Sequence, residues 1–227
     1  MAVDTARRVA LIHALAHSIA PVNAAFERAW PECVRMNLLD DSLSADLARS
    51  ADGLNARMTA RFVALAAYAI GTGAQGILFT CSAFGPCIDA VAARWPDLPV
   101  LKPNEAMIEE AVRAAAIGGR RGRIGLVATF APTLLLMPAE FPAGVEVIPV
   151  LAEGALAALD AGDCATHDRL AAEAARAAHA RGCDVIALAQ FSLARAAPAV
   201  ERAVPLPVLT TPESAVRRLR SRLDYPV

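Results

Sequence analysis

The chain repeats itself, and the repeated pieces are short apolar runs that stop at polar residues. Arg8-Val9-Ala10-Leu11-Ile12-His13-Ala14 aligns with Arg123-Ile124-Gly125-Leu126-Val127-Ala128-Thr129, and Leu98-Pro99-Val100-Leu101 with Glu105 aligns with Leu206-Pro207-Val208-Leu209 with Glu213. A third pair sets Gly76-Ile77-Leu78-Phe79-Thr80-Cys81 beside Val185-Ile186-Ala187-Leu188-Ala189-Gln190, so that a thiol in one half stands opposite an amide in the other. Runs of this length alternating with segments of helical period imply an α/β fold with mostly parallel sheets. Duplication then predicts two pseudo-symmetric lobes, each a mostly parallel sheet flanked by helices. The break at Gly118-Gly119 divides them into 1–118 and 119–227, with the C-terminal helix free to pack on the first. Ligands of open α/β sheets bind outside the carboxyl ends of the strands, which predicts an active-site cleft between the lobes lined by post-strand loops.

In the first half the pattern predicts strands at Val9–Ile12, Cys33–Leu39, Gly76–Thr80 and Pro99–Leu101. It predicts helices at Pro21–Trp30, Ser50–Ile70, Pro86–Trp95 and Glu105–Ile117, with Asp40-Asp41-Ser42 as a turn. In the second half it predicts strands at Arg123–Ala128, Val145–Val150, Asp184–Ala189 and Pro207–Leu209, with helices at Thr166–Arg181, Ala194–Val204 and Pro212–Leu223. Thr129–Thr133 reads as a loop.

With 227 residues, 56% of them hydrophobic, the chain can bury a large core. A net charge of -1 with dispersed arginines gives no footprint for nucleic acid and no support for anionic lipid binding. Five cysteines without paired short spacings make neither a disulfide framework nor a zinc or redox motif, which fits a reducing, cytoplasmic setting. Arg7-Arg8 followed by Val9 to Ala25 resembles a signal peptide only superficially, because His13 and His17 interrupt it. No apolar run reaches the roughly 18 residues of a membrane span.

Cys81 is the residue most suited to chemistry. It ends a strand and precedes Ser82-Ala83-Phe84-Gly85-Pro86, which opens a helix, and a thiolate is stabilised at that place. The competing reading is a buried hydrophobe, since free cysteine is among the most buried residue types. Cys87 reads as packing, and Cys33, Cys164 and Cys183 carry no role. His13 and His17 follow the first strand and are open to either a cleft-facing or a structural role. His167 and His179 read as surface residues. Four dispersed histidines give no metal-ligand spacing. Lys102, the sole lysine, leaves a strand where it can meet an acidic ligand or a carboxylate such as Glu105. Hydroxyls at Thr129, Thr133, Ser192, Thr210 and Thr211 also fall after strands, where they can cap helices or, jointly, hold a carboxylate.

Four segments carry a resemblance: His13 to Pro21, Phe79-Thr80-Cys81-Ser82-Ala83, Ala128-Thr129-Phe130-Ala131-Pro132-Thr133, and Leu188-Ala189-Gln190-Phe191-Ser192-Leu193-Ala194. Together they resemble the cofactor-independent aspartate/glutamate racemase superfamily, which includes hydantoin racemase, maleate isomerase and arylmalonate decarboxylase. The resemblance implies an α-carbon racemase or isomerase of a small carboxylate or amino-acid derivative, without pyridoxal cofactor or metal, working as a homo-oligomer. In racemases of this family one cysteine per lobe flanks the α-carbon, one removing its proton and the other returning one. Cys81 matches the first of these and is the implied catalytic residue. His13, Ser18, Thr80, Ser82, Thr129, Gln190, Ser192 and Thr211 are the implied substrate-binding residues. The second cysteine's position reads Gln190, whose amide binds but does not titrate.

That departure leaves other functions in play. A single-thiol decarboxylase of the arylmalonate type is one, although its thiol lies in the other lobe. A binding protein for small carboxylates that has lost catalysis is another, and a transcriptional or structural module lacks any supporting motif.

Overall fold

The computed structural model describes residues 6–51, 53–116 and 122–224. The chain divides into two compact units: residues up to Pro103 together with those from Ala215 onward, and Asn104–Ser214. The expected boundary at Gly118-Gly119, and the expected helix end at Ile117, lie outside the described residues.

The first unit runs β1 (Arg8–His13), α1 (Ile19–Ala29), β2 (Val34–Leu39), α2 (Ser42–Arg49), α3 (Ala56–Gly71), β3 (Gly76–Phe79), α4 (Gly85–Arg94) and β4 (Val100–Leu101). Its four strands are all parallel in the order β2-β1-β3-β4. The interior strands β1 and β3 are almost wholly buried, and so read as unbroken apolar runs, whereas the edge strand β2 is half-exposed. Ala10, Ile12 and Phe79 pack with Leu43 of α2, Phe62 of α3 and Ile88 of α4 on one face. Phe62 stacks on Phe79, with ring centroids 5.2 Å apart.

The second unit runs α5 (Glu105–Ala115), β5 (Arg123–Ala128), α6 (Ala131–Leu136), β6 (Glu146–Leu151), α7 (Ala155–Asp160), α8 (Cys164–Ala180), β7 (Val185–Leu188), α9 (Ala197–Ala203) and β8 (Val208–Thr210). Its parallel sheet has the order β6-β5-β7-β8, the same arrangement as in the first unit. Pro149 lies on β6, where an edge position tolerates a missing N–H. The final helix, α10 (Thr211–Asp224), starts directly after β8. Its Leu219 and Leu223 methyls lie within 3.0 and 3.3 Å of where a Cβ on Gly76 would stand, so β3 begins with glycine where this helix approaches closely.

Several elements depart from the sequence reading. The helix expected over Ser50–Ile70 starts at Ala56, because Gly53 takes φ +64 and the Asn55 side chain caps the helix by accepting the Met58 N–H at 3.1 Å. Before that break lies α2, for which the sequence pattern gives no helix signal beyond the turn expected at Asp40-Asp41-Ser42. Part of the expected loop Thr129–Thr133 is helix α6, with Pro132 in its first turn. Helix α7 was not anticipated. Phe191–Ala196 forms a 3-10 turn ahead of α9. Helix α5, counted with the first lobe in the sequence reading, belongs to the second unit, where Met107, Ile108 and Ala111 pack with Ile124, Leu126 and Val185.

Candidate active site

In the first unit the carboxyl ends of β1 and β3 bring His13, Ala14, Thr80 and Cys81 together. His13 is wholly buried, and both ring nitrogens are engaged: Nδ1 lies 2.8 Å from Thr80 Oγ1 and Nε2 3.0 Å from Asn37 Oδ1 on β2. An amide oxygen only accepts, so Nε2 carries the proton and Nδ1 accepts from the Thr80 hydroxyl. Burial lowers the imidazole's pKa, the Asn37 bond opposing it in part, and His13 is therefore neutral. Thr80 is also anchored by its backbone N–H, which donates to the Ile12 carbonyl at 3.1 Å.

Cys81 follows in extended backbone, φ -127 and ψ 119, and precedes the 3-10 turn Ser82–Phe84 that leads into α4. Its half-buried side chain borders a small cavity shared with Ile12, His13, Ala14, Leu43, Phe62 and Phe79. The sequence position predicts a stabilised thiolate. Burial among these apolar groups instead pushes the thiol pKa up, against the Ala83 N–H and the Ser44 hydroxyl, which favour the anion. Cys81 is thus a protonated thiol near neutral pH. Ser82 is exposed beside it.

In the second unit the equivalent strand exits carry Thr129 after β5 and Gln190 after β7. Gln190 Oε1 accepts from both the Thr129 backbone N–H at 2.6 Å and the Thr129 hydroxyl at 2.9 Å. This fixes the amide with its oxygen on Thr129 and leaves the NH2 end as the donor. Ser192 is half-buried in the following 3-10 turn. Thr211 is fully buried and its hydroxyl donates to the Leu188 carbonyl at 2.9 Å, tying α10 to β7. Thr210 is buried with its hydroxyl unpartnered.

The remaining candidates fall elsewhere. Ser18 is buried at the end of the 3-10 turn Ala16–Ser18, and His17 is exposed on the same turn. Lys102 pairs with Asp89 at 2.7 Å rather than with Glu105. His167, expected on the surface, is fully buried, because α8 packs against α7, α9, β5 and β6. Its Nδ1 lies 2.8 Å from Asp168, which in turn receives two bonds from Arg195, at 2.9 and 3.3 Å. Burial raises the Asp168 pKa, but the bonds from Arg195 and His167 outweigh it and lower the pKa overall. Among the described residues no group of three or more His, Cys, Asp or Glu side chains is placed to hold a metal ion. No helix among them is long and apolar enough to cross a membrane.

The sequence reading missed Asn37 and Ser44. An asparagine inside a strand, between Met36 and Leu38, was a usable signal for the first. Ser44 was hidden by the unforeseen helix that carries it.

The sequence matches the family Asp/Glu/Hydantoin racemase over residues 16–219, and the chain belongs to that family, whose members are enzymes of the isomerase type. No curated protein sequence matches it. Among solved structures it is similar to allantoin racemase from Klebsiella pneumoniae, with 16% identity and TM-score 0.70, covering 96% of this chain and 88% of that one. An aspartate racemase homologue from Pyrococcus horikoshii OT3 is similar at 14% identity and TM-score 0.71, covering 96% and 100%. A glycine-to-cysteine variant of arylmalonate decarboxylase follows at 19% identity and TM-score 0.63, covering 93% and 92%. At these identities the likeness is one of fold.

Proposed function

We propose that this protein is a cofactor-independent racemase- or isomerase-type enzyme acting at the α-carbon of a small carboxylate or amino-acid derivative, with Cys81 as the proton-transferring thiol. The observation that carries the reading is the place of Cys81. In a chain of this family, it stands at the exit of the interior strand β3, directly before the 3-10 turn that opens the next helix. As thiolate it would take the α-proton, leaving the C–H electron pair to delocalise into the carboxylate as an enediolate. As thiol it would return a proton to that carbon. Ser82 is the proposed donor to the carboxylate in the first unit, and Ser192 and the NH2 of Gln190 are proposed as substrate-binding donors of the second. His13, Thr80, Thr129 and Thr211 hold the strand exits in shape, and the enzyme is proposed to act in the cytoplasm.

A second reading, single-thiol decarboxylation, is favoured by two features of the site. Cys81 is kept protonated by burial, and Gln190 at the matching exit has no titratable proton. In that reaction the C–CO2 bond breaks, its electrons form the enediolate, and the Cys81 S–H protonates the carbon before water reprotonates the sulfur.

The test is turnover by the purified protein on single-enantiomer amino acids, hydantoins and substituted malonates, followed by polarimetry and carbon dioxide release. Cys81→Ala is expected to lose activity by at least a hundredfold, in line with removal of a positioned acid/base group. Undiminished turnover in Cys81→Ala would remove the proposal.

A further inference from the structure

We propose that Arg195 and Asp168 are positioning residues of the second unit, clamping the 3-10 turn Phe191–Ala196 so that Ser192 is held where it meets the substrate. The proposal rests on the reading of Ser192 as a substrate-binding donor. Hydrogen bonds of 3-10 geometry are poorly directed, and runs longer than about four residues are uncommon. This turn has six residues, whereas its counterpart in the first unit, Ser82–Phe84, has three. A 3-10 segment of that length has to be held from outside. At its entry Gln190 is pinned by Thr129, and the Leu193 N–H donates to the Gln190 carbonyl at 3.0 Å. Phe191 and Leu193 turn their side chains into the core. At its far end Arg195 reaches back to α8, where Nε donates to Asp168 Oδ1 at 2.9 Å and Nη2 to Oδ2 at 3.3 Å. Ser192 lies between these two holds, and without the second it is tethered on one side only.

An isolated ion pair at a surface holds little, but this one is a two-pronged fork whose carboxylate is also fixed from behind. His167 is wholly buried and its Nδ1 lies 2.8 Å from Asp168 Oδ1, so Nδ1 carries the proton and the carboxylate accepts it. The other ring nitrogen, Nε2, has no partner among the described residues. Asp168 is thus the imidazole's polar anchor, and the buried ring in turn orients the carboxylate toward Arg195. The duplication shows that the clamp belongs to the long turn. Counted from Cys81 and Gln190, the residue matching Arg195 is Pro86. Counted from Asn55 and Asp163, which cap α3 and α8, the residue matching Asp168 is Ala60. The first unit, with the short turn, carries neither half of the clamp.

The test is hydrogen–deuterium exchange read by mass spectrometry, together with steady-state kinetics, in wild type, Arg195→Gln, Asp168→Asn, Ser192→Ala and the double variant Arg195→Gln/Ser192→Ala. Arg195 is exposed, so its replacement spares the core. In Arg195→Gln the amides of the turn, with those of Leu193 and Ala197 among them, are expected to exchange about tenfold faster, while the turn Ser82–Phe84 keeps its wild-type rate. Asp168→Asn, which offers Arg195 one acceptor oxygen instead of two, is expected to shift exchange in the same direction. A binding donor holds the substrate before and during the reaction alike, so its misplacement falls on KM. On the amino acid, hydantoin or malonate that wild type turns over fastest, Arg195→Gln is expected to raise KM about tenfold and to change kcat less than about twofold. If the clamp acts through Ser192, the double variant has the KM of Ser192→Ala alone. Unchanged exchange in the turn of Arg195→Gln would overturn the proposal whatever the activity. So would faster exchange with an unchanged KM, or KM effects that multiply in the double variant. A wild type inert on every compound would refute the proposed function instead, and leaves the exchange rates to decide on the clamp.

Discussion

At the level of single residues, the site is set by which polar atoms are already spoken for. His13 shows this most clearly: buried, bonded on both nitrogens and held neutral, it serves as a strut between β1, β2 and β3 rather than as a free base. Its pKa is lower in the folded protein than in the unfolded chain, where imidazole titrates near 6.5. Its contribution to stability is therefore complete above about pH 6.5 and is lost as the pH falls through the lowered folded value, with a slope of at most about 1.4 kcal/mol per pH unit. Urea unfolding between pH 7 and pH 5 is expected to show this decline in wild type and a smaller one in His13→Gln. An equal decline in both would place its origin elsewhere. The position of Cys81 was legible in the sequence, because an apolar run followed by Ser-Ala-Phe-Gly-Pro marks a strand exit before a helix. Its raised pKa was not, since the burial comes from Leu43 and Phe62, supplied by helices distant in sequence. The lock between Thr129 and Gln190 was equally hidden, since the two lie on separate strand exits.

Among the elements, those with the strongest local signal were the ones the sequence revealed. Interior parallel strands are buried on both faces, and so β1, β3, β5 and β7 stood out as continuous apolar runs. The short helices α2, α6 and α7 did not, because isolated helices of one or two turns are unstable and take their stability from packing that a single sequence does not display. Close helix–strand approach leaves a signature only in retrospect. At Gly125 on β5, an added Cβ would come within 2.8 Å of the Ala178 Cβ on α8 and 3.1 Å of the Ile186 Cδ1 on β7. Neither backbone can yield without disturbing the sheet, so Gly125→Ala is expected to cost about 1–3 kcal/mol in urea or thermal unfolding. A change below about 0.5 kcal/mol would mean that α8 shifts freely on this sheet.

Taken as a whole, the molecule is a duplication in which both sheets keep the same strand order while the residues at equivalent exits have diverged. The first unit places Cys81 after its third strand, and the second places Gln190 there, pinned by Thr129. The architecture was readable from the repeat, since matching apolar runs demand matching strands. The place of the division was not, because helix α5 follows the first sheet in sequence yet packs on the second. One titratable sulfur at one of the two equivalent exits is the ground for the proposal that protons pass to and from the substrate carbon through Cys81. The measurement that reaches this claim most directly is proton NMR of the α-hydrogen of a substrate incubated in deuterium oxide with wild type and with Cys81→Ser. The account predicts deuterium at the α-carbon with the wild type and none with Cys81→Ser, the optical rotation of the product showing whether exchange is accompanied by inversion. Equal deuterium incorporation with both proteins would contradict it.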